Sequence, residues 1–184
     1  MDVHIDEVSR WLTLERIGLS DFMKFAMFDN RECWAGHDLA ATAEWLFSVI
    51  RTFCCGECFS LASAVSLHTA FPIAIIRRRL DTTDSIVHAL VLDPKTGEGA
   101  DILGRRPMAA VLSEFKVVVG DVYVSLLSAG YGVDDDEEAE ELARIGAALP
   151  WMPSSARWPK TSFAEFQILI ERRARRRATS STVC

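Results

Sequence analysis

At Phe71 the chain changes character, and that change limits the folds open to it. Before it, apolar residues recur at helical spacing; after it, short β-branched runs alternate with turn residues. Upstream, residues 5–29 read as helical through Val8, Leu12, Leu14, Ile17 and Leu19, then Phe22, Phe25 and Phe28, with a turn at 29–31. Asp38 is placed to cap a helix whose Leu39, Ala43, Leu46, Val49 and Ile50 share a face. Gly56 interrupts it, and a new apolar helix is expected from about Glu57 to about Thr69. Downstream, Pro72-Ile-Ala-Ile-Ile-Arg has strand composition, and Asp81-Thr-Thr-Asp-Ser reads as a turn. Ile86–Asp93 and Glu98–Leu103 are two more strands, joined by Pro94-Lys-Thr-Gly and stopped at Gly104. Pro107 suits the first turn of a helix to about Phe115, and Lys116–Leu126 holds two β-rich stretches around Gly120-Asp121. The acid run Asp134–Glu141 reads as the solvated start of a helix to about Leu149, and a last helix runs from about Ser162 into Arg177 with a frayed tail. There is no repeat and no linker. The expectation is one α+β domain over residues 1–184, an N-terminal helical lobe packed on an antiparallel sheet, with its core at 54–126 and a basic helix and tail at 162–184.

The 184 residues are ample for a core, and 49% apolar with 25% charged excludes a disordered chain. No apolar run approaches the roughly 20 residues that span a bilayer. The opening Met1-Asp-Val-His-Ile-Asp-Glu lacks the charge and apolar region of a signal peptide. A cytoplasmic start is expected, with signal-less secretion as the other route. The net charge of −6 hides an asymmetry: residues 154–184 carry seven Lys/Arg against two Asp/Glu, a balance of +5, so the rest carries −11. An acidic body argues against nucleic acid as the main partner. The run Arg172–Arg177 fits either a helix end favoured by the dipole or a contact for an acidic partner.

Five cysteines, Cys33, Cys54, Cys55, Cys58 and Cys184, with three inside five residues, make a poor disulfide framework. A reduced compartment and a catalytic or metal role suit them better. Cys58 opens the helix after Gly56, where the positive end of the dipole stabilises a thiolate and free backbone N–H groups can hold an oxyanion. Gly56 would allow the close chain approach of such a corner. A thiolate needs a base, and His88 lies on the second strand; the imidazole needs an orienting acceptor, and Asp101 lies on the third. In the right register these two become cross-strand neighbours. His68 lies ten residues along the helix from Cys58, about 15 Å away, and cannot serve. Cys54 and Cys55 are second choices as nucleophile.

Gly56-x-Cys58-x-x-x-Ala62, Val87-His88-Ala89-Leu90-Val91 and Gly99-Ala100-Asp101-Ile102-Leu103-Gly104 together resemble the core of papain-like and transglutaminase-like cysteine enzymes. The resemblance covers roughly residues 54–105. It implies that Cys58 is the nucleophile, His88 the general base or ion-pair partner, and Asp101 the residue that orients it. It also implies acyl transfer on an amide of a protein or peptide, of peptidase (thiol protease), deamidase or transglutaminase type, without cofactor or metal. Small domains of this kind occur in bacterial effectors and toxins. Papain-like enzymes carry an upstream glutamine at the oxyanion hole, whereas the single glutamine here is Gln167. Asn30, Glu57 or a backbone N–H would take that part.

Other readings compete. One is an inactive papain-like binding protein. Another is a zinc site built from Cys55-x-x-Cys58 with Cys33 and His37. A thioredoxin-like redox role for Cys55-Gly-Glu-Cys58 lacks the βαβ unit it requires. Of the tryptophans, Trp34 and Trp151 fall in loop-like stretches and are placed to line a cleft.

Overall fold

The computed structural model of the protein describes residues 20–79, 84–132, 136–152 and 159–180. The expected helix before Ser20, His4, Trp11, residues 81–83 of the expected turn, Trp158 and Cys184 lie outside the described residues. The Ser20 side chain accepts from the Met23 N–H and caps one helical turn, α1 (Asp21–Lys24). A π-type turn (Phe25–Asp29) and a 3-10 turn (Arg31–Trp34) follow. Asp38 caps α2 (Leu39–Cys55) as expected, accepting from the Ala40 N–H at 2.9 Å.

α2 ends at Gly56, and α3 (Cys58–Thr69) leaves it at 81°. The corner does not depend on glycine, contrary to expectation. Gly56 has an ordinary negative φ of −133°, and an added Cβ would meet only the Thr52 carbonyl at 3.6 Å. α3 ends where Ala70 takes a left-handed φ of 56°. Leu61 to Ser66 are all buried, so α3 is covered on every side, as a helix at the centre of a domain is.

The sheet comprises β1 (Ile73–Arg79), β2 (Asp84–Asp93), β3 (Glu98–Asp101), β4 (Gly104–Pro107) and β5 (Val122–Leu127), all antiparallel in the order β4-β3-β2-β1-β5. Successive strand residues face opposite ways. Burial of all four of Ile73–Ile76 therefore means that both faces of the central strand are covered. α3 touches β1, β2 and β3.

Two expectations need correction here. Gly104–Pro107, expected to be a strand end and a helix start, is a strand of its own; its charged and proline-closed composition suits an edge position. The helix α4 (Met108–Val119) begins after Pro107 and continues through Lys116–Val119, leaving one strand where two β-rich stretches were expected. Val111, Phe115 and Val119, four residues apart, are buried on one helical face, and this burial outweighs the β preference of Val117-Val118-Val119.

α5 (Asp136–Ala147) and α6 (Phe163–Ser180) complete the described elements. Gly146 on α5 lets the helix press on α3: a Cβ there would lie 2.8 Å from Val65 Cγ2. Trp34, Trp45, Phe163 and Phe166 pack in edge-on, tilted and stacked pairs into a cluster that ties α6 to α2 and the turns before it. No single described helix is long and apolar enough to cross a membrane.

Gly104, with φ 131°, faces the Asp21 carboxylate; a Cβ would meet its Oδ2 at 2.8 Å. Gly104→Ala is expected to cost about 1–3 kcal/mol, read as a lower urea midpoint.

Candidate functional site

Cys58 is the first residue of α3, His88 lies in β2, and Asp101 is the last residue of β3. The β2–β3 register runs Val91↔Ala100 and Leu92↔Gly99, so its continuation sets Asp101 opposite Leu90. His88 is two residues further along β2 on the same face. The pair is therefore a diagonal one, within reach of a long or ring-bearing side chain. β2 also carries an extra residue here: Ile76 pairs with His88 and Arg77 with Ile86. Such a bulge bends the strand and re-aims the neighbouring side chain.

The result is a chain of contacts. His88 Nε2 lies 3.0 Å from Asp101 Oδ2, and the charge of the imidazole acts on the Cys58 thiol. His88 Nδ1 lies 3.2 Å from the carbonyl oxygen of Cys54. With a carboxylate at one ring nitrogen and a carbonyl at the other, both nitrogens are placed to donate, which is the pattern of an imidazolium. The Cys54 carbonyl belongs to the last turn of α2, where carbonyls lack helical donors and the dipole favours a cation. The backbone N–H groups of Ala89 and Phe59 also favour the charged form of Cys58. The 81° corner thus turns the negative end of one helix to the imidazole and the positive end of the next to the thiol.

Burial alone would raise the Cys58 thiol above its ordinary 9.0, but its interaction with His88, and then with the backbone of Ala89 and Phe59, brings it below. Burial likewise opposes the imidazolium, yet the Asp101 and Cys58 contacts raise His88 from 6.5 to about 10. Cys54 and Cys55 go the other way: burial raises both thiols, Cys54 strongly. Among Cys54, Cys55 and Cys58, only Cys58 has an environment that favours the thiolate.

Several contributors were not read from the sequence. Arg106 on β4 places Nη2 2.8 Å from Asp101 Oδ2 and Nη1 2.9 Å from Glu114. Asp101 Oδ1 accepts from the Leu103 N–H at 2.9 Å. Burial opposes the carboxylate, while Arg106 and then His88 hold it below the usual carboxylate range. Phe115 of α4 stacks on the His88 ring with centroids 5.3 Å apart. The Trp151 indole donates to the Asp101 carbonyl at 2.9 Å, and this tryptophan lines the void beside Cys58, in keeping with the expectation for it. Trp34 lines a separate groove of about 220 Å³ with His37 and Gln167. Only the strand Gly104–Pro107, unread from the sequence, would have signalled that Arg106 comes beside Asp101.

The side chains considered as oxyanion donors are engaged elsewhere. Asn30 Nδ2 donates to the Phe25 carbonyl at 3.0 Å, and Glu57 is held by arginines of α6. Backbone N–H groups at the start of α3 remain as donors, since the N-cap residue supplies no side-chain cap. His68 occupies the far end of α3. Among the described residues no three His, Cys, Asp or Glu side chains gather into a metal-holding group, so Cys33 and His37 do not join Cys55 and Cys58. The segment before Cys55-x-x-Cys58 is helix α2 rather than part of a βαβ unit. Compared with protein-family models, with curated proteins and with solved structures, the chain finds no match.

Proposed function

We propose that the protein is a cysteine acyl-transfer enzyme of papain-like or transglutaminase-like type. Cys58 is its nucleophile, His88 its ion-pair partner and Asp101 the residue that orients His88. The observation that carries this reading is the buried His88–Asp101 pair, at 3.0 Å, with Cys58 opening the adjoining helix α3; the charge of His88 lowers Cys58 while burial raises Cys54 and Cys55. The Cys58 thiolate attacks the acyl carbon of an amide, and the oxyanion draws on N–H groups at the start of α3. As the C–N bond breaks, the His88 imidazolium gives its proton to the leaving amine. A thioester remains on Cys58. Water or a second amine, deprotonated by His88, then attacks it and releases the thiol. Water as acceptor makes a peptidase or deamidase; an amine makes a transglutaminase. Occurrence as a bacterial effector or toxin follows only from the family likeness.

A peptidyl chloromethyl ketone is expected to alkylate Cys58 of the native protein once per chain. Cys58→Ala is expected to lower cleavage, ammonia release or amine incorporation on a protein panel by about a thousandfold or more. A native protein that resists the reagent while the urea-unfolded chain reacts would sink the proposal. One feature favours a binding scaffold with a closed site as the second reading. The void that Cys58 lines measures about 10 Å³, at the lower limit for one water. Under that reading the reagent labels nothing.

A further inference from the structure

Glu57 puts a buried carboxylate on the residue next to Cys58. It immediately precedes Cys58 at the start of α3, is 1% exposed, and makes no capping hydrogen bond to the helix. Its partners come from far along the chain. Arg173 and Arg177, one turn apart on α6, both hold the Glu57 carboxylate. Arg173 also reaches Glu138 at 2.7 Å and Glu141 at 3.7 Å on α5, and Arg176, on the same face, pairs with Glu141. Two sequence readings are changed by this cluster. Glu141 is buried in ion pairs rather than solvated, and four arginines of the basic run, Arg173, Arg175, Arg176 and Arg177, have acidic partners within this chain. Glu57, Arg173 and Arg177 lie along a groove of about 360 Å³ between α2 and α6, so the cluster adjoins solvent.

A thiolate and a carboxylate on successive residues oppose one another, and a buried carboxylate without a counter-charge would push the thiol toward its neutral form. The charged groups in this region are His88 of β2, which acts on Cys58 itself, Asp101 of β3 and Arg106 of β4, which act on Cys54, and Arg51 of α2, which acts on Cys55. We propose that Arg173 and Arg177 are positioning residues of the Cys58 site: by neutralising buried Glu57, the docked helix α6 keeps Cys58 in its reactive form. This inference rests on the reading of Cys58 as a thiolate nucleophile.

The test is the pH profile of iodoacetamide modification at Cys58, followed by mass spectrometry at fixed ionic strength, with circular dichroism to verify folding. Four proteins are compared: wild type, Arg173→Gln, Glu57→Gln and the double variant. Arg173→Gln is expected to slow modification at pH 7 by about tenfold and to move the midpoint upward. Glu57→Gln is expected to be as fast as wild type or faster, and the double variant to recover to within about threefold of it. A role in packing alone predicts instead that both single variants slow the reaction and that the double variant is slower still. That pattern, or an unchanged profile for Arg173→Gln, overturns the inference while leaving Cys58 as nucleophile. If wild-type Cys58 reacts no faster than Cys55, the thiolate reading itself fails, and the inference with it. Should Arg173→Gln not fold, Arg177→Gln, at a more exposed position, is expected to show the same direction with a smaller effect.

Discussion

At neutral pH, iodoacetamide is expected to modify Cys58 of the native protein about a hundredfold faster than Cys54 or Cys55, and His88→Ala to remove most of that advantage. The reagent reads thiolate, and Cys55 is partly exposed as Cys58 is, whereas Cys54 is buried, so the comparison with Cys55 is the one that reports charge stabilisation. Burial works against ionisation of all three, and at Cys58 alone it is overcome, by His88 and the backbone of Ala89 and Phe59. The direction of the pH dependence follows. Because the Cys58 thiol lies below 9.0, its reactivity should already be high at pH values where an ordinary thiol is protonated. It should fall as acid protonates the thiolate. The paired form also has an upper limit, reached as pH rises through the His88 value of about 10 and the imidazolium is lost. A rate that climbs only above pH 9, as for an ordinary thiol, would remove the basis for treating Cys58 as special.

Asp101→Ala should be the most damaging single change to stability, with an expected loss of about 3–5 kcal/mol in urea unfolding. The carboxylate is buried and serves His88 Nε2, an Arg106 Nη2 and the Leu103 N–H together. Truncation leaves a cation and two further donors without their acceptor. Asp101→Asn keeps an acceptor oxygen but loses the charge, so it should cost less and still lower the imidazolium fraction. The pH test has a definite sign. The Asp101 carboxyl is held below its ordinary value, so its contribution is complete above about 4 and is lost as pH falls through the lower folded value. The stability gap between wild type and Asp101→Asn should therefore narrow in acid. A double variant with Arg106→Leu should recover part of the loss, since both partners of the buried pair are then gone. If Asp101→Ala unfolds within about 1 kcal/mol of wild type, the network is far weaker than its geometry indicates.

The part of the site legible in the sequence is the part carried by local order. Cys58 could be placed because Gly56 interrupts one apolar helical pattern and another begins at once. His88 and Asp101 could be placed because a tight turn, Asp93-Pro-Lys-Thr-Gly, joins their strands. The diagonal relation between them was beyond reach, since it depends on the exact β2–β3 register and on a bulge that no residue type announces. Arg106 was missed for a different reason: four residues ending in proline do not read as a strand. Lys116–Val119 misled because valines carry a β preference that their spacing on a buried helical face overrides. The pairing of Glu57 with Arg173 spans 116 residues, and such contacts leave no periodic trace. The basic run and the acid run were each visible, but their meeting was not.

The order of the strands has a consequence for how the site comes into being. Strands β1 to β4 form a meander in which each pairs with its successor, so His88, Asp101 and Arg106 all fall within one stretch of near-neighbour pairings. Short loops close at little entropic cost, and topologies rich in such contacts assemble quickly. The histidine, aspartate and arginine are thus expected to meet early in folding, as the meander zips. The cysteine reaches them by docking of a neighbouring helix, and the arginines beside Glu57 arrive only with long-range closure. A kinetic folding experiment would accordingly see the His88–Asp101–Arg106 network protected before the surroundings of Cys58 are complete.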